Sequence, residues 1–249
     1  MGMRFKDRAE AGRHLAAVLA QLRERPDTIL LGLARGGVPV AAAAAVELDQ
    51  PYGAVLVRKL GIPGREETAF GALACLNGRI VRMVNRPLIE RMRQHGILQD
   101  SLVAVEARER GELLRRVETY PAISFDLSGK TVVLVDDGLA TGATMRAAVE
   151  AVRAGGAVTV VAAVPVSSLE AQASISRVCD AMMCLHTPGR FHAVGAFYEH
   201  FEQLTDDDAV RLLEAGGRLM AHASGVGPRI LDAHPASRAA KSISTREFR

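Results

Sequence analysis

A chain of 249 residues with 49% hydrophobic and 24% charged side chains has globular proportions, which excludes wholesale disorder and allows a sizeable core without covalent staples. Three Cys (Cys75, Cys179, Cys184) with no C-x-x-C argue against a disulfide framework and against a zinc site. The formal charge of +3 is unevenly spread: residues 217–249 hold six Lys/Arg against two acids, while residues 1–216 hold 25 basic against 26 acidic, so the basic balance belongs to the tail.

With no Trp and 4% aromatics, stacking platforms for single-stranded nucleic acid are scarce, and a nucleic-acid partner is not expected. No apolar run approaches membrane-spanning length, and MGMRFKDRAEAGRHL lacks the apolar region of a leader, so a cytoplasmic protein with no membrane partner is expected.

In chain order, residues 1–25 read as a helical lead-in with Ala and Leu on one face. TILLGL (28–33) is a buried strand that breaks at Ala34-Arg35-Gly36-Gly37, and PVAAAAAVEL (39–48) is an Ala-rich helix. YGAVLVRKL (52–60) is a second buried strand, followed by a Gly/Pro-rich stretch, GIPGREET. Residues 70–84 predict a hairpin about Asn77-Gly78. Residues 89–119 are charged and helical, with Gly96 and Gly111 as weak points, and read most simply as a surface helix on a core. TVVLV (131–135), a helix over 144–154, VTVVAAVPV (158–166), a helix near 168–178, AMMCL (181–185) and a last helix near 206–215 complete the body. The Ala/Ser/Arg-rich tail from about 222 has no period and is expected to be mobile. Apolar strands alternating with helices predict an α/β fold with a mainly parallel twisted sheet, covered on both faces. Ligands on such sheets sit beyond the carboxyl ends of the strands.

The chemistry concentrates in VVLVDDGLATGATM (132–145). A buried strand ends at Val135, two carboxylates follow (Asp136, Asp137), and the small-residue loop Gly138-Leu139-Ala140-Thr141-Gly142-Ala143-Thr144 opens a helix. Small residues admit an anion to the backbone, free N–H groups at a helix start favour phosphate, and Thr141 and Thr144 add hydroxyl donors. Adjacent acids would repel that phosphate, so they suit sugar hydroxyls or a metal bridging to a second phosphate group. The residues therefore suggest a phosphorylated sugar. No P-loop, no G-x-G-x-x-G after a strand and no G-x-S-x-G elbow is present.

This segment resembles the phosphoribosyl-diphosphate (PRPP) signature of type I phosphoribosyltransferases. LGLARGGVPVA (31–41), VRKLGIPGREETAFGA (57–72) and FHAVGAFYEHFEQLTDDD (191–208) are similar to one bacterial group of them with an unassigned acceptor. The resemblance covers about residues 3–216. It implies a phosphoribosyltransferase domain over 1–216 with a flap near 60–85 and a small hood near 186–204, leaving 217–249 as a basic tail.

Carried onto this chain, the resemblance implies that Ala140 to Thr144 hold the 5-phosphate, with Gly138 and Leu139 leading in. It puts Asp136 and Asp137 on the ribose hydroxyls. Arg35, Gly36 and Gly37 match the pyrophosphate loop, and Lys59 adds charge beside it. Glu67 falls in the flap, either as an acid/base or as an anchor. Phe191, Val194, Gly195, Phe197 and Tyr198 would form the hood over the acceptor, with Phe197 and Tyr198 equally suited to the core. Mg²⁺ would be held mainly through PRPP, with Asp136 and Asp137 as candidate ligands.

The implied reaction transfers the phosphoribosyl group from PRPP to a nucleobase or related N-heterocycle, releasing pyrophosphate, as in nucleotide salvage. A PRPP-sensing module of the same fold is the alternative from another class, and transfer to an amine or to water is a third. Ala140 stands where hypoxanthine–guanine enzymes carry an Asp that serves the purine, which argues against a 6-oxopurine acceptor. His186, His192 and His200 do not have zinc spacing, and Asp206-Asp207-Asp208 reads as the acidic first turn of the last helix. The long charged helix and small hood are compatible with a homodimer.

Overall fold

The computed structural model describes residues 3–94, 99–121 and 125–224. Among them, seven strands form one sheet in the order β4-β3-β2-β1-β5-β6-β7. The strands are β1 Thr28–Ala34, β2 Tyr52–Ile62, β3 Arg65–Leu76, β4 Arg79–Val84, β5 Thr131–Val135, β6 Thr159–Val166 and β7 Ala181–His186. The helices are α1 Arg8–Val18, α2 Gly37–Leu48, α3 Arg86–Gln94, α4 Gln99–Thr119, α5 Ala143–Ala154, α6 Leu169–Ile175 and α7 Asp206–Ser224. Strands β1, β2, β5, β6 and β7 run parallel, while β3 and β4 join antiparallel at one edge.

Every residue of β1 and β5 is buried, because both faces of the sheet are covered. Alternate residues serve opposite faces. Leu30, Val133 and Val135 pack with α1, α2 and α7 side chains, whereas Ile29, Leu31, Leu33, Val132 and Leu134 pack with those of α5 and α6. Burying one such aliphatic side chain is worth about 1.5–3 kcal/mol. β1 and its neighbours are therefore the stiff floor from which the loops at their carboxyl ends project.

The hairpin at Asn77-Gly78 is present, with both residues in the left-handed region (φ 50° and 75°) that a two-residue turn of this hand demands. The Gly/Pro-rich stretch is largely strand. β2 runs on to Ile62 and β3 starts at Arg65, so only Pro63-Gly64 turns, and Ile62 pairs with Arg65. The pairing shifts register at Leu60/Gly61 and Gly61/Ile62, a bulge that bends the hairpin. Residues 60–85, where the resemblance implies a flap, are thus mostly paired strand.

The 89–119 segment splits into α3 and α4, and α4 continues through Gly111, where an added Cβ would meet only open space. The last helix extends to Ser224 instead of ending near 215, and α6 is shorter than expected. Residues 225–249 of the tail lie outside the described residues.

The stretch where the resemblance implies a hood pairs with the N-terminal segment. Phe5 bridges Tyr198 in parallel, with Phe5 N–H donating to Phe197 O at 2.8 Å and Glu199 N–H donating to Phe5 O at 2.8 Å. The stretch expected to form the hood, 186–204, thus supplies only one side of this pairing. The N-terminal side is a short stretch with no period of its own to announce it.

Candidate active site

Three neighbouring strands, β2, β1 and β5, deliver their carboxyl ends to one cavity of about 580 Å³. Arg35, Gly36, Lys59, Asp136, Asp137 and Thr144 all line it. The loop after β1 lies directly on the acid turn after β5. A Cβ at Gly36 would overlap Asp137 Oδ2, and one at Gly37 would overlap Val135 O. The two glycines are required here by close approach, not by unusual dihedrals. The Ala34–Arg35 peptide is cis.

The remaining loop residues frame the cavity without contributing to its lining. Leu139 is buried and ties the loop to the end of β6: its N–H donates to Val166 O, and its O accepts from Ser168 N–H, each at 2.9 Å. Ser168 Oγ–H donates to Ala140 O at 2.9 Å. Gly142 precedes α5 and Ala143 begins it, while Thr141 is exposed. The loop, Gly138 to Thr144, therefore forms a fixed turn running into a helix N-terminus. Glu67 lies in β3, with its side chain outside the described residues.

Arg8, the first residue of α1, is central to the site and was not singled out in the sequence. Its Nε–H donates to Asp137 Oδ2 at 2.9 Å, its guanidinium lies 3.9 Å from the Phe201 ring centroid, and an Nη1–H donates to Glu202 O at 3.0 Å. KDRAEA carries no local signal for this; only the Phe5–Tyr198 pairing brings Arg8 across. The two side chains of the ion pair are 12% and 15% exposed, so the pair is mostly shielded from water.

Burial raises both carboxyls. Asp136 is raised most, by burial first and then by the neighbouring Asp137 charge. Asp137 is raised by burial and pulled back by Arg8. Asp137 N–H donates to Asp136 Oδ1 at 2.9 Å.

The five residues expected in the hood divide. Tyr198 is 1% exposed, stacks on Phe201 with centroids 4.9 Å apart, and donates its hydroxyl to Asp137 O at 2.7 Å. It braces the acid turn from inside and has no free face for a planar ligand. Val194 packs against Gly138, where a Cβ would sit 2.6 Å from its Cγ1. Phe191 stacks on Phe197 at 5.7 Å, and His186 meets Phe197 edge-on at 5.7 Å. Gly195 approaches Phe201 closely enough that a Cβ would meet its ring at 2.8 Å. None of the five lines the cavity, whereas Phe201, Glu202, Gln203 and Leu204 do.

Helix α4 is also more than a surface helix. Its Arg108, Glu109 and Arg116 line the cavity. Glu109, 7% exposed, accepts from Arg58 Nε–H at 2.8 Å and from Arg108 Nε–H at 3.0 Å. Arg58 is therefore a paired wall residue. Asp206 begins α7 and also bonds back to α4 and Tyr120.

Among the described residues, no three His, Cys, Asp or Glu side chains cluster as an ion cage, and no helix is long and apolar enough to cross a membrane. His200 Nδ1 lies 3.9 Å from Glu202, apart from His186 on Phe197.

Residues 4–194 match the family model described as phosphoribosyl transferase domain. A Mycobacterium tuberculosis protein (strain H37Rv) with a provisional phosphoribosyl transferase name is 41% identical over 224 residues, covering 89% of this chain and 49% of that protein; its counterpart in strain CDC 1551 matches equally. The chain thus spans about half the length of these curated relatives. The crystal structure of TT1426 from Thermus thermophilus superposes with a TM-score of 0.69 at 41% identity, covering 85% of this chain and 98% of that one.

Two outcomes follow from this geometry. Arg8→Met will destabilise the protein by about 3 kcal/mol, because Asp137 is left buried without its partner. Adding Asp137→Asn to it will recover most of that loss in a denaturant double-mutant cycle; additive losses would show that the two groups do not interact. Burial raises Asp136 above its value in the unfolded chain, so stability falls as pH rises from the ordinary carboxyl value of 3.8 toward the raised one. Asp136→Asn will therefore raise the ligand-free melting temperature near pH 7 by about 2–4 °C. The gain will shrink as pH is lowered toward that ordinary value, and a pH-independent shift would contradict the assignment.

Proposed function

The chain belongs to the phosphoribosyl transferase domain family, and from that premise we propose that it transfers the phosphoribosyl group of PRPP to a nucleobase or related N-heterocycle, with Mg²⁺ present. The observation that carries this reading is the convergence of Arg35-Gly36, Lys59 and the Asp136-Asp137 pair on one cavity.

In this reading the 5-phosphate lies in the turn from Gly138 to Thr144, where backbone N–H groups at the start of α5 meet it. Asp136 and Asp137 accept the ribose hydroxyls, which fixes C1 toward the hood. The diphosphate lies over the loop after β1, with Lys59 and Arg35 beside it. A ring nitrogen of the acceptor forms a bond to C1 with inversion as the C1–O bond to the diphosphate breaks. Pyrophosphate leaves with that electron pair, and the ring proton passes to solvent. Because charge departs with the leaving group, the residues accelerate the step by stabilising it and by excluding water.

The residues present fit Mg²⁺ only in part. Of the carboxylates that line the cavity, Glu109 is taken by Arg58 and Arg108, and Asp137 by Arg8. Asp136 lies beside Asp137, and Glu202 is on the segment after the Arg8-facing Phe201. An ion would therefore take most of its oxygens from the ligand, as Mg²⁺ at phosphate sites commonly does. When bound, it supplies neutralisation of the diphosphate.

Arg8 makes the acid pair tolerable beside two phosphate groups. It offsets one of the two negative charges and anchors residues 201–202 above the site. Phe201, Gln203 and Leu204 are the candidates for contact with the acceptor, with Phe191, Val194, Gly195 and Phe197 as the supporting layer.

The test is a turnover assay with Mg·PRPP and a pool of purine and pyrimidine bases, reading pyrophosphate and new nucleotide masses. The expected result is a nucleotide that disappears on chelation of Mg²⁺. Formation should fall by about a hundredfold or more in the Asp136→Asn, Asp137→Asn double variant, a loss comparable to removing a principal transition-state contact. Unchanged turnover in that variant would overturn the reading. PRPP binding without any product would favour a sensor.

A further inference from the structure

Two cations of the cavity are incompletely used. Arg35 makes no ion pair among the described residues. Arg116, in the last turn of α4, lines the cavity yet is only 5% exposed, and its Nε–H has no hydrogen-bond acceptor. Leaving a charged donor buried and unsatisfied is costly, so the surroundings of Arg116 need an explanation.

Two carboxylates approach it without satisfying it. Glu112 Oε1 and Asp206 Oδ1 each lie 3.5 Å from Arg116 Nε. Both are engaged elsewhere. Arg115 donates to both oxygens of Glu112 at 2.9 Å and to Asp206 Oδ2 at 3.1 Å, and Tyr120 donates its hydroxyl to Asp206 Oδ1 at 3.2 Å. The Arg115 hydrogen bonds hold Glu112 at a pKa of about 2. The acids thus orient Arg116 and offset part of its charge, while Arg115 takes their best hydrogen bonds.

The other neighbours push the opposite way. Burial, Arg58 and Arg35 all weaken the hold of Arg116 on its proton, because like charges share a partly dry wall. Arg58 is committed to Glu109. An anion entering the cavity would meet the part of the Arg116 side chain that lines it and relieve this repulsion. Its place is set by the fold: α4 packs on β2, and β2 and β5 flank β1 from opposite sides. Arg116 therefore stands across the cavity from the acid pair.

We propose that Arg116 and Arg35 form an oxyanion subsite on the α4 wall, completed by an anionic group of the ligand. The subsite deepens the transferase reading and rests on it for the identity of that ligand. Two sources share the chemistry: the diphosphate of PRPP, and a carboxylate on the acceptor ring. A planar guanidinium suits either, since it can donate two parallel hydrogen bonds.

The experiment is calorimetric titration of the full chain with inorganic pyrophosphate, with Mg·PRPP, and with orotate as a carboxylated heterocycle. Wild type, Arg116→Met and Arg116→Lys are compared, each first checked by thermal melting. Arg116→Met should weaken at least one of these ligands by about tenfold or more, the loss expected for a hydrogen bond to a charged group. Arg116→Lys should regain part of it, and if the Met variant does not fold, a several-fold loss in the Lys variant carries the comparison. A loss on pyrophosphate and PRPP names the diphosphate; a loss on orotate alone names the acceptor. Equal affinities in all three proteins, or no binding by the wild type, would overturn the subsite. If pyrophosphate binding depends on Arg116 but the mixed-acceptor assay yields no nucleotide, the transferase reading fails and the subsite stands.

Discussion

The structure is organised around a pair of adjacent carboxylates held where water is scarce. Asp136 and Asp137 end the central run of the sheet, and the loop after β1 lies so close to them that only glycine fits at 36 and 37. Arg8 supports the pair from one side, and the Tyr198 hydroxyl holds the backbone between them and the hood. Two buried acids in succession are a standing cost to the fold. The surrounding elements are arranged to offset that cost rather than to relieve it, as expected of a site that keeps strongly accepting groups ready for a ligand.

That constraint explains the architecture around it. A fully buried β1 and β5 provide a floor stiff enough to fix two loops at near contact. The N-terminal segment must return to the far end of the chain, because Phe5 pairs with Tyr198 and sets the start of α1, from which Arg8 reaches the acids. The β2–β3 hairpin and α4 close the opposite side, and their charges interlock through Glu109 with Arg58 and Arg108. The acids face one wall of arginines across the cavity, an arrangement suited to a ligand with hydroxyls at one end and negative charge at the other.

Much of this was legible in the sequence where the signal is local. Apolar runs ended by Gly or Asp marked the parallel strands, Asn77-Gly78 marked its hairpin, and the succession of strand, two acids, small loop and helix located the centre of the cavity. What escaped depends on distant pairing. Arg8, Glu109 and Arg116 sit in charged helical stretches whose local pattern is that of solvated faces, and only tertiary contact turns them inward. Tyr198 and Phe201 stand three residues apart in one hood segment; one is buried as a brace while the other faces the cavity, a distinction set by Phe5 and Arg8 rather than by residue type. The Gly/Pro-rich stretch after Lys59 gave no strand signal, yet pairing between Ile62 and Arg65 carries the strands almost to the turn.

Burial holds Asp136 above the ordinary carboxyl range in the free protein, and hydroxyl donors of a bound ligand would lower it again. Titration of Mg·PRPP into the protein over a pH series upward from the ordinary carboxyl value of 3.8, in buffers of different ionisation enthalpy at each pH, counts the protons exchanged on binding. The expected result is a net proton release by the wild type within that series, clearly smaller for Asp136→Asn at saturating ligand. No release, or the same release from both proteins, would contradict it.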